Sequence, residues 1–258
     1  MKSKITLLLL ILTFCVGNVF SQNPNRTFTA GSYIVDMGQN SSINVGLKPY
    51  GFVYALIKNN NVPVYWSINS AKVKDGIDFT LPAGAGGKSY KGGTFIIAAE
   101  DAVSSTIQSL ITTWRGNGAV IDGPISTSFT VPVYNKLTSW PRGLLDADNG
   151  SLVTPYYSNA GVPSSSYVTQ ANPTLLSNCG DVYVLPHADP HQWPASYVLA
   201  LRNFMNNGGY LWSACHAVSA LDLINPNPFN FLTTSGLVPW TNHDDPVTPF
   251  VYDPTSAV

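Results

Sequence analysis

Charge is what this sequence has least of. Lysine and arginine number 13 and aspartate and glutamate 14, together 10% of 258 residues, for a net charge of −1. That leaves no basic field for nucleic acid and no polybasic face for anionic lipid. Glutamate is nearly absent: Glu100 is the single one. Cysteine is scarce too, with residues only at positions 15, 179 and 215. Beyond the first sixteen residues no apolar run approaches the roughly 20 needed to cross a bilayer. Membrane insertion of the mature chain is therefore not expected. The surface must be covered by Asn, Ser, Thr, Gly and aromatic side chains. Such a surface suits a small molecule, a glycan or a surface protein as partner.

What is present begins with an export signal. Met1-Lys2-Ser3-Lys4 is followed by an apolar run from Ile5 to Val16 and then by Gly17-Asn18-Val19-Phe20-Ser21-Gln22. Two lysines, about a dozen apolar residues and a small residue at the end describe a secretory signal peptide. Val19 and Ser21 fit a peptidase site, so residues 1–21 are expected to leave and the mature chain to begin at Gln22. The expected location is secreted or cell-surface. Bulky Phe14 before Cys15 argues against a lipoprotein site.

After a polar linker over 22–28, apolar periodicity predicts alternating strands and helices in one domain spanning 29–258. Thr29–Met37 reads as a strand, Asn44–Asn60 as a helix with Pro49 in its first turns, and Val62–Ile68 as a buried strand. Residues 69–92 carry Asp75-Gly76, Leu81-Pro82 and a Gly-rich run, the marks of a hairpin or loop. The pattern resumes with a strand at 94–98, a helix at 102–114 and a strand at 118–121. Residues 123–178 are Pro- and Ser-rich and read as an irregular insertion, with short strands near 128–134 and 152–157. The clearest unit comes next: strand Asp181–Leu185, helix Pro194–Asn206 stopped by Asn207-Gly208-Gly209, strand Tyr210–Ala214, and a helix opening at Ala217. Strand–helix–strand order predicts an α/β fold with an open, mostly parallel sheet and helices on both faces. The chain turns loop-like through Pro226, Pro228, Pro239, Pro246 and Pro249 and reaches Val258 without an obvious final element, as a fragment of a longer protein would.

In open α/β sheets, ligands bind outside the carboxyl ends of the strands. The unusual residues of this chain fall there. His187, Asp189 and His191 follow Leu185; Cys215 and His216 end the strand at Ala214; Glu100 follows Ala98; Asp36 closes the first strand. The same topology argues against a disulfide. Cys179 precedes its strand and Cys215 follows its own, so a strand length of roughly 20 Å separates them, beyond disulfide reach. Cys215 is expected to be a free thiol.

The stretch Asp181–Leu185, Leu201–Asn206 and Gly208-Gly209-Tyr210-Leu211-Trp212-Ser213-Ala214-Cys215-His216-Ala217 resembles the nucleophile-elbow region of the class I glutamine-amidotransferase-like (DJ-1/PfpI-like) superfamily. The resemblance implies a flavodoxin-like sheet, Cys215 as nucleophile and His216 as its base, with Glu100 or Asp189 as the orienting acid. Ala217 stands where that superfamily usually has glycine. Over its whole length, with GLKPYGFVYALIKNNNVPVYWSI, LPHADP and CHAVSALD, the chain is also similar to N-terminal regions of large secreted surface proteins of Bacteroidota.

Three functions remain open on these residues. The first is a Cys-His hydrolase or amidase acting on a small substrate, with His187, His191, Trp193 and Asp36 near the substrate and no cofactor. The second is a non-catalytic surface or adhesion module that keeps the fold. The third is a metal-dependent hydrolase, with zinc as the candidate metal, using His187, Asp189 and His191 with His216 or the His243-Asp244 pair as further ligands. Against these stand simpler roles: an inert buried Cys215, a hydrogen-bonded turn at 187–191, and a carboxylate in a helix first turn at Glu100.

Overall fold

A computed structural model describes residues 24–39, 42–176, 181–188 and 192–220. The expected signal peptide, Cys179, Asp189, His191, the His243-Asp244 pair and everything after Ala220 lie outside the described residues. The strands are β1 (Asn25–Phe28), β2 (Tyr33–Val35), β3 (Val64–Ser67), β4 (Ile77–Thr80), β5 (Ser89–Lys91), β6 (Thr94–Ile97), β7 (Ile121–Asp122), β8 (Phe129–Pro132), β9 (Asn135–Leu137), β10 (Arg142–Asp146), β11 (Tyr167–Ala171), β12 (Asp181–Leu185) and β13 (Tyr210–Ser213). The α-helices are α1 (Ile43–Gly46), α2 (Lys48–Tyr54), α3 (Ser105–Gly116), α4 (Thr154–Ala160) and α5 (Ala195–Asn206). A π-helical turn, Ala55–Asn59, prolongs α2.

Two larger sheets organise these elements. The first has five strands in the order β7-β2-β6-β3-β9, all neighbours antiparallel. Because β2 and β3 both run against β6, they point the same way with β6 between them. The strand–helix–strand reading of 29–68 is thus correct in direction but not in pairing, and the parallel sheet expected there is antiparallel. A crossover helix fixes only that its two strands share a direction; it does not stop a third strand from inserting between them. The same device recurs at β6–α3–β7, which straddle β2. Strands β2, β3, β6 and β7 form the double split β-α-β arrangement of ferredoxin-like folds.

Alternation along each strand divides this sheet into two faces. Tyr33, Val35, Val64, Phe95, Ile97 and Ile121 meet Phe52, Val53, Leu56, Ile107, Ile111 and Trp114 from α2, its π turn and α3. On the other face Ile34, Tyr65 and Ile96 meet Phe28, Phe79, Tyr90, Phe129 and Val131 from two ribbons. The ribbons are β1 with β8 and β4 with β5. The hairpin expected in 69–92 is the β4–β5 pair. The linker expected over 22–28 is in part strand β1, held against β8 by registered pairs from Asn25↔Pro132 to Phe28↔Phe129. Helix α3 starts where Ser104 caps it by accepting from the Ile107 N–H. Its buried residues Ile107, Ile111 and Trp114 recur at helical spacing.

The second sheet has four strands in the order β11-β10-β12-β13, all parallel. Here the α/β expectation holds: this is a parallel sheet within a mixed α/β chain. Leu144, Tyr183 and Leu185 face Leu201 and Phe204 of α5. Leu145 and Val184 turn the other way, toward Val153 and Tyr157 at α4. Residues 123–178 are therefore not an insertion. They supply β8 and β9 to the first half and two strands of the parallel sheet, including β10 in its interior. The strand expected at 152–157 is instead a 3₁₀ turn, Gly150–Val153, running into α4. At the amino ends of β10 and β12, Arg142 grips the buried Asp181 through two hydrogen bonds of 2.9 and 2.8 Å.

The two halves meet at glycine. A Cβ on Gly51 of α2 would lie 1.8 Å from the Ala160 carbonyl oxygen of α4 and 2.4 Å from the Trp114 ring. Only glycine lets these helices approach so closely.

Candidate functional site

Cys215 sits where β13 ends. Ala214 is still extended (φ −145°, ψ 167°), and its N–H donates to the Leu185 carbonyl at 3.1 Å. The chain then reverses sharply into a 3₁₀ turn, Cys215–Ser219, with Cys215 itself at φ +53°. That left-handed conformation costs a non-glycine residue about 1 kcal/mol or more, so packing must impose it. Ala217 and Ala220, both fully buried on the α5 side of the sheet, pin the turn. The thiol is free and exposed. His216 follows within the same turn.

The parallel sheet brings further groups to this edge. β12 ends at Leu185 and passes into Pro186 and half-buried His187. Leu185 is registered with Ser213, so His187 follows β12 at the same edge that Cys215 occupies. Trp193, ahead of α5, packs edge-on against Tyr183 at 6.3 Å and Tyr197 at 6.2 Å, and is partly buried in the core beneath the edge.

Asp146, which composition and periodicity did not single out, closes β10 at the same edge. It is 4% exposed. One carboxylate oxygen accepts from the Asp148 N–H at 2.9 Å and the other from the Tyr183 hydroxyl. Burial pushes its pKa above the ordinary 3.8, outweighing the hydrogen bonds from Tyr183 and the backbone. Burial, followed by the hydrogen bond to Asp146, likewise pushes the Tyr183 hydroxyl far up. The signal was present in the sequence as Gly143-Leu144-Leu145-Asp146-Ala147-Asp148-Asn149-Gly150, a short apolar run ending in acid and a turn. Strand β10 is where connections diverge: β10 leads through α4 to β11 on one side, and β12 leads through α5 to β13 on the other. Such a divergence opens the crevice in which parallel sheets bind ligands.

Other expected site residues lie elsewhere. Glu100 belongs to the first half, in a turn after β6, and its exposed carboxylate pairs with Arg26 at 3.1 Å. Asp36 follows β2 of the antiparallel sheet. It is buried and pairs with Lys88 at 2.8 Å, while accepting from Gln39 and the Gly38 N–H. Lys88 also reaches Asp122 at 2.6 Å, whose carboxylate accepts from the Tyr90 hydroxyl. Burial opposes ionisation of Asp36, but the hydrogen bonds from Lys88, Gln39 and Gly38 win and hold its pKa below 3.8. Neither Glu100 nor Asp36 is carried by the sheet that carries Cys215. The parallel pattern inferred for the first half had wrongly placed them on one edge with it. Asp189 and His191 lie outside the described residues, so His187 alone represents the 187–191 cluster here. Among the described residues no three His, Cys, Asp or Glu side chains converge in a way that could hold a metal ion. No helix among them is long and apolar enough to cross a membrane.

Away from this edge, two apolar hollows flank Tyr156 and Tyr157. One of about 400 Å³ is lined by Val153, Tyr156, Tyr157, Val182, Val184 and Trp212. The other, about 230 Å³, includes Leu47, Tyr50, Trp140 and Val162.

Comparison with protein-family models, with curated proteins and with solved structures found no match for this chain.

Proposed function

We propose that residues 142–220 belong to a flavodoxin-like, class I amidotransferase-like (DJ-1/PfpI-like) module of an exported protein, and that Cys215 is the nucleophile of a hydrolase or amidase acting on a small extracellular or cell-surface substrate. The observation that carries this reading is the left-handed conformation of Cys215 at the end of a parallel strand, with its thiol exposed. A strained strand-to-turn junction is how nucleophile elbows present a side chain clear of the sheet. The β11-β10-β12-β13 order matches the first four strands of the 2-1-3-4-5 flavodoxin-like order. In this mechanism the Cys215 thiolate attacks a carbonyl carbon, His216 takes up the thiol proton and returns it to the leaving amine, and water hydrolyses the thioester. Glu100 has no part in it.

The test is the rate of Cys215 alkylation by iodoacetamide against pH on the mature chain, followed by a screen of amide and ester substrates. Alkylation at neutral pH faster than that of a small model thiol, with turnover abolished by Cys215→Ser, is the expected result. Alkylation no faster than that of a small model thiol, and no turnover, would remove the hydrolase reading. A second reading, a binding module for surface adhesion, draws on the 400 Å³ hollow faced by Trp212 and Tyr156, which offers aromatic surface and no ionisable acid or amine.

A further inference from the structure

We propose that the buried Asp146–Tyr183 pair is the acid half of the site at whose other end Cys215 stands, and that its charge sets the reactivity of the thiol. The inference rests on the reading of Cys215 as the nucleophile, and its test separates the two.

The geometry is that of one sheet edge. Asp146 ends β10, Leu185 ends β12 and Ser213 ends β13, with Leu145 registered to Val184 and Val184 to Trp212 one residue earlier. Asp146 and Ser213 are therefore two strand spacings apart, roughly 10 Å, and Cys215 lies two residues further on, which puts it roughly 12 Å from Asp146 along the edge. Both are on the side of the sheet covered by α5: Tyr183, which donates to Asp146, and Ala217, which anchors the turn, belong to the same apolar cluster. The Asp146 end of that path is buried and the Cys215 end exposed, so the charge is screened only in part.

The pair is built to hold one carboxyl at a defined place. Tyr183 is fully buried and its ring is fixed against Trp193. Its hydroxyl donates to one oxygen of Asp146 and the Asp148 N–H to the other, so both acceptors are engaged. An acid required only to cap the turn after β10 need not be buried to 4% nor receive a buried phenol. The ionisable groups about it are few. Tyr183 stands on β12, Asp148 on its own loop and Tyr197 on α5, the last acting through Tyr183. His187 follows β12 at the same edge. Arg142 and Asp181 occupy the opposite end of the sheet, paired with one another. Loss of the Asp146 proton thus adds a negative charge to the sheet edge that carries Cys215, His187 and His216. The carboxylate raises the cost of forming a thiolate; the neutral acid does not.

The experiment compares iodoacetamide alkylation of Cys215 against pH in the full chain, in Asp146→Asn and in Tyr183→Phe, with near-ultraviolet circular dichroism to confirm the fold. Asp146→Asn removes the charge without changing shape. It should alkylate at the wild-type rate at acid pH and about two- to ten-fold faster above the Asp146 titration, the range a charge at roughly 12 Å gives in a partly shielded medium. Tyr183→Phe removes a donor that favours the carboxylate, so the point of divergence should move to higher pH. Profiles that superimpose for all three folded proteins would overturn the proposal. A thiol of ordinary reactivity whose profile still responds to Asp146→Asn would retain the coupling while rejecting the hydrolase. A strongly reactive thiol indifferent to both variants would do the reverse. Should Asp146→Asn fail to fold, Tyr183→Phe alone decides by the direction of its shift.

Discussion

Replacing Gly51 with alanine sets two physical effects against each other at the seam between the halves. Alanine is the better helix former by about 1 kcal/mol, so intrinsic propensity predicts a more stable protein. The tertiary structure predicts the opposite. The added methyl would lie 1.8 Å from the Ala160 carbonyl oxygen and 2.4 Å from the Trp114 ring. A side chain can rotate away from such a contact, but a carbonyl on α4 moves only if the helix moves. Overpacking costs about 1–3 kcal/mol, and a backbone obstacle puts this case at the upper end. Subtracting the helical gain leaves a loss of about 2 kcal/mol. For a chain of this size that lowers Tm by about 4–8 °C. Thermal unfolding followed by circular dichroism, with a urea titration at 25 °C, measures both quantities. Gly116→Ala is the control: it too is helical, nothing lies within 4 Å of its added Cβ, and it should be neutral or gain about 0.5 kcal/mol. A Gly51→Ala protein as stable as wild type would refute the close approach of α2 and α4, and with it the docking of the parallel sheet on the antiparallel one.

Other outcomes follow from the ion pairs. Arg142→Ala removes the guanidinium from the buried Asp181 carboxylate and should cost about 1–3 kcal/mol by urea denaturation, the partial exposure of Arg142 keeping the value below that of a wholly buried pair. Arg142→Lys should recover only part of it, because an ammonium cannot make the paired contact. The Lys88 cluster predicts a stability profile with two limbs. Asp36 titrates below its unfolded value of 3.8, so its contribution is present above pH 3.8 and lost as pH falls through the folded pKa. Burial opposes protonation of Lys88, but Asp122 and Asp36 raise its pKa above 10.5, so its contribution is present below pH 10.5 and lost as pH rises through the folded value. Lys88→Met should flatten both limbs in urea titrations across pH; a profile unchanged by the substitution would contradict the cluster as described.

How far the sequence could be read depended on which kind of contact decided each feature. The strand Asp181–Leu185 was legible because burial on both faces gives a continuous apolar run, helix α5 from apolar residues at helical spacing, and strand Tyr210–Ser213 from the Gly208-Gly209 before it. A hairpin in 69–92 was legible from its turn residues. Strands β10 and β11 were not, since Arg142–Asp146 and Tyr167–Ala171 are short, flanked by Pro, Ser and Asn, and owe their form to neighbours distant in sequence. Their loss hid Asp146, an acid at the end of β10 on the Cys215 edge, and left Glu100 to be considered in its place. Glu100 follows a strand as expected, but the strand belongs to the other sheet.

By itself, then, the sequence determined local matters: low charge, an apolar amino-terminal run, periodicities of helix and strand, and a cysteine placed at a strand end. These depend on residues within a turn or two of one another, where spacing maps directly onto geometry. Pairing was decided only in three dimensions. A helical crossover fixes the direction of β2 and β3 but not that β6 slips between them, and no local signal tells Asp146 that its carboxyl will meet Tyr183, 37 residues away. Hydrogen bonds between strands carry no side-chain information, so the choice of partner rests on the total apolar surface that one arrangement buries. That sum exists only in the folded chain.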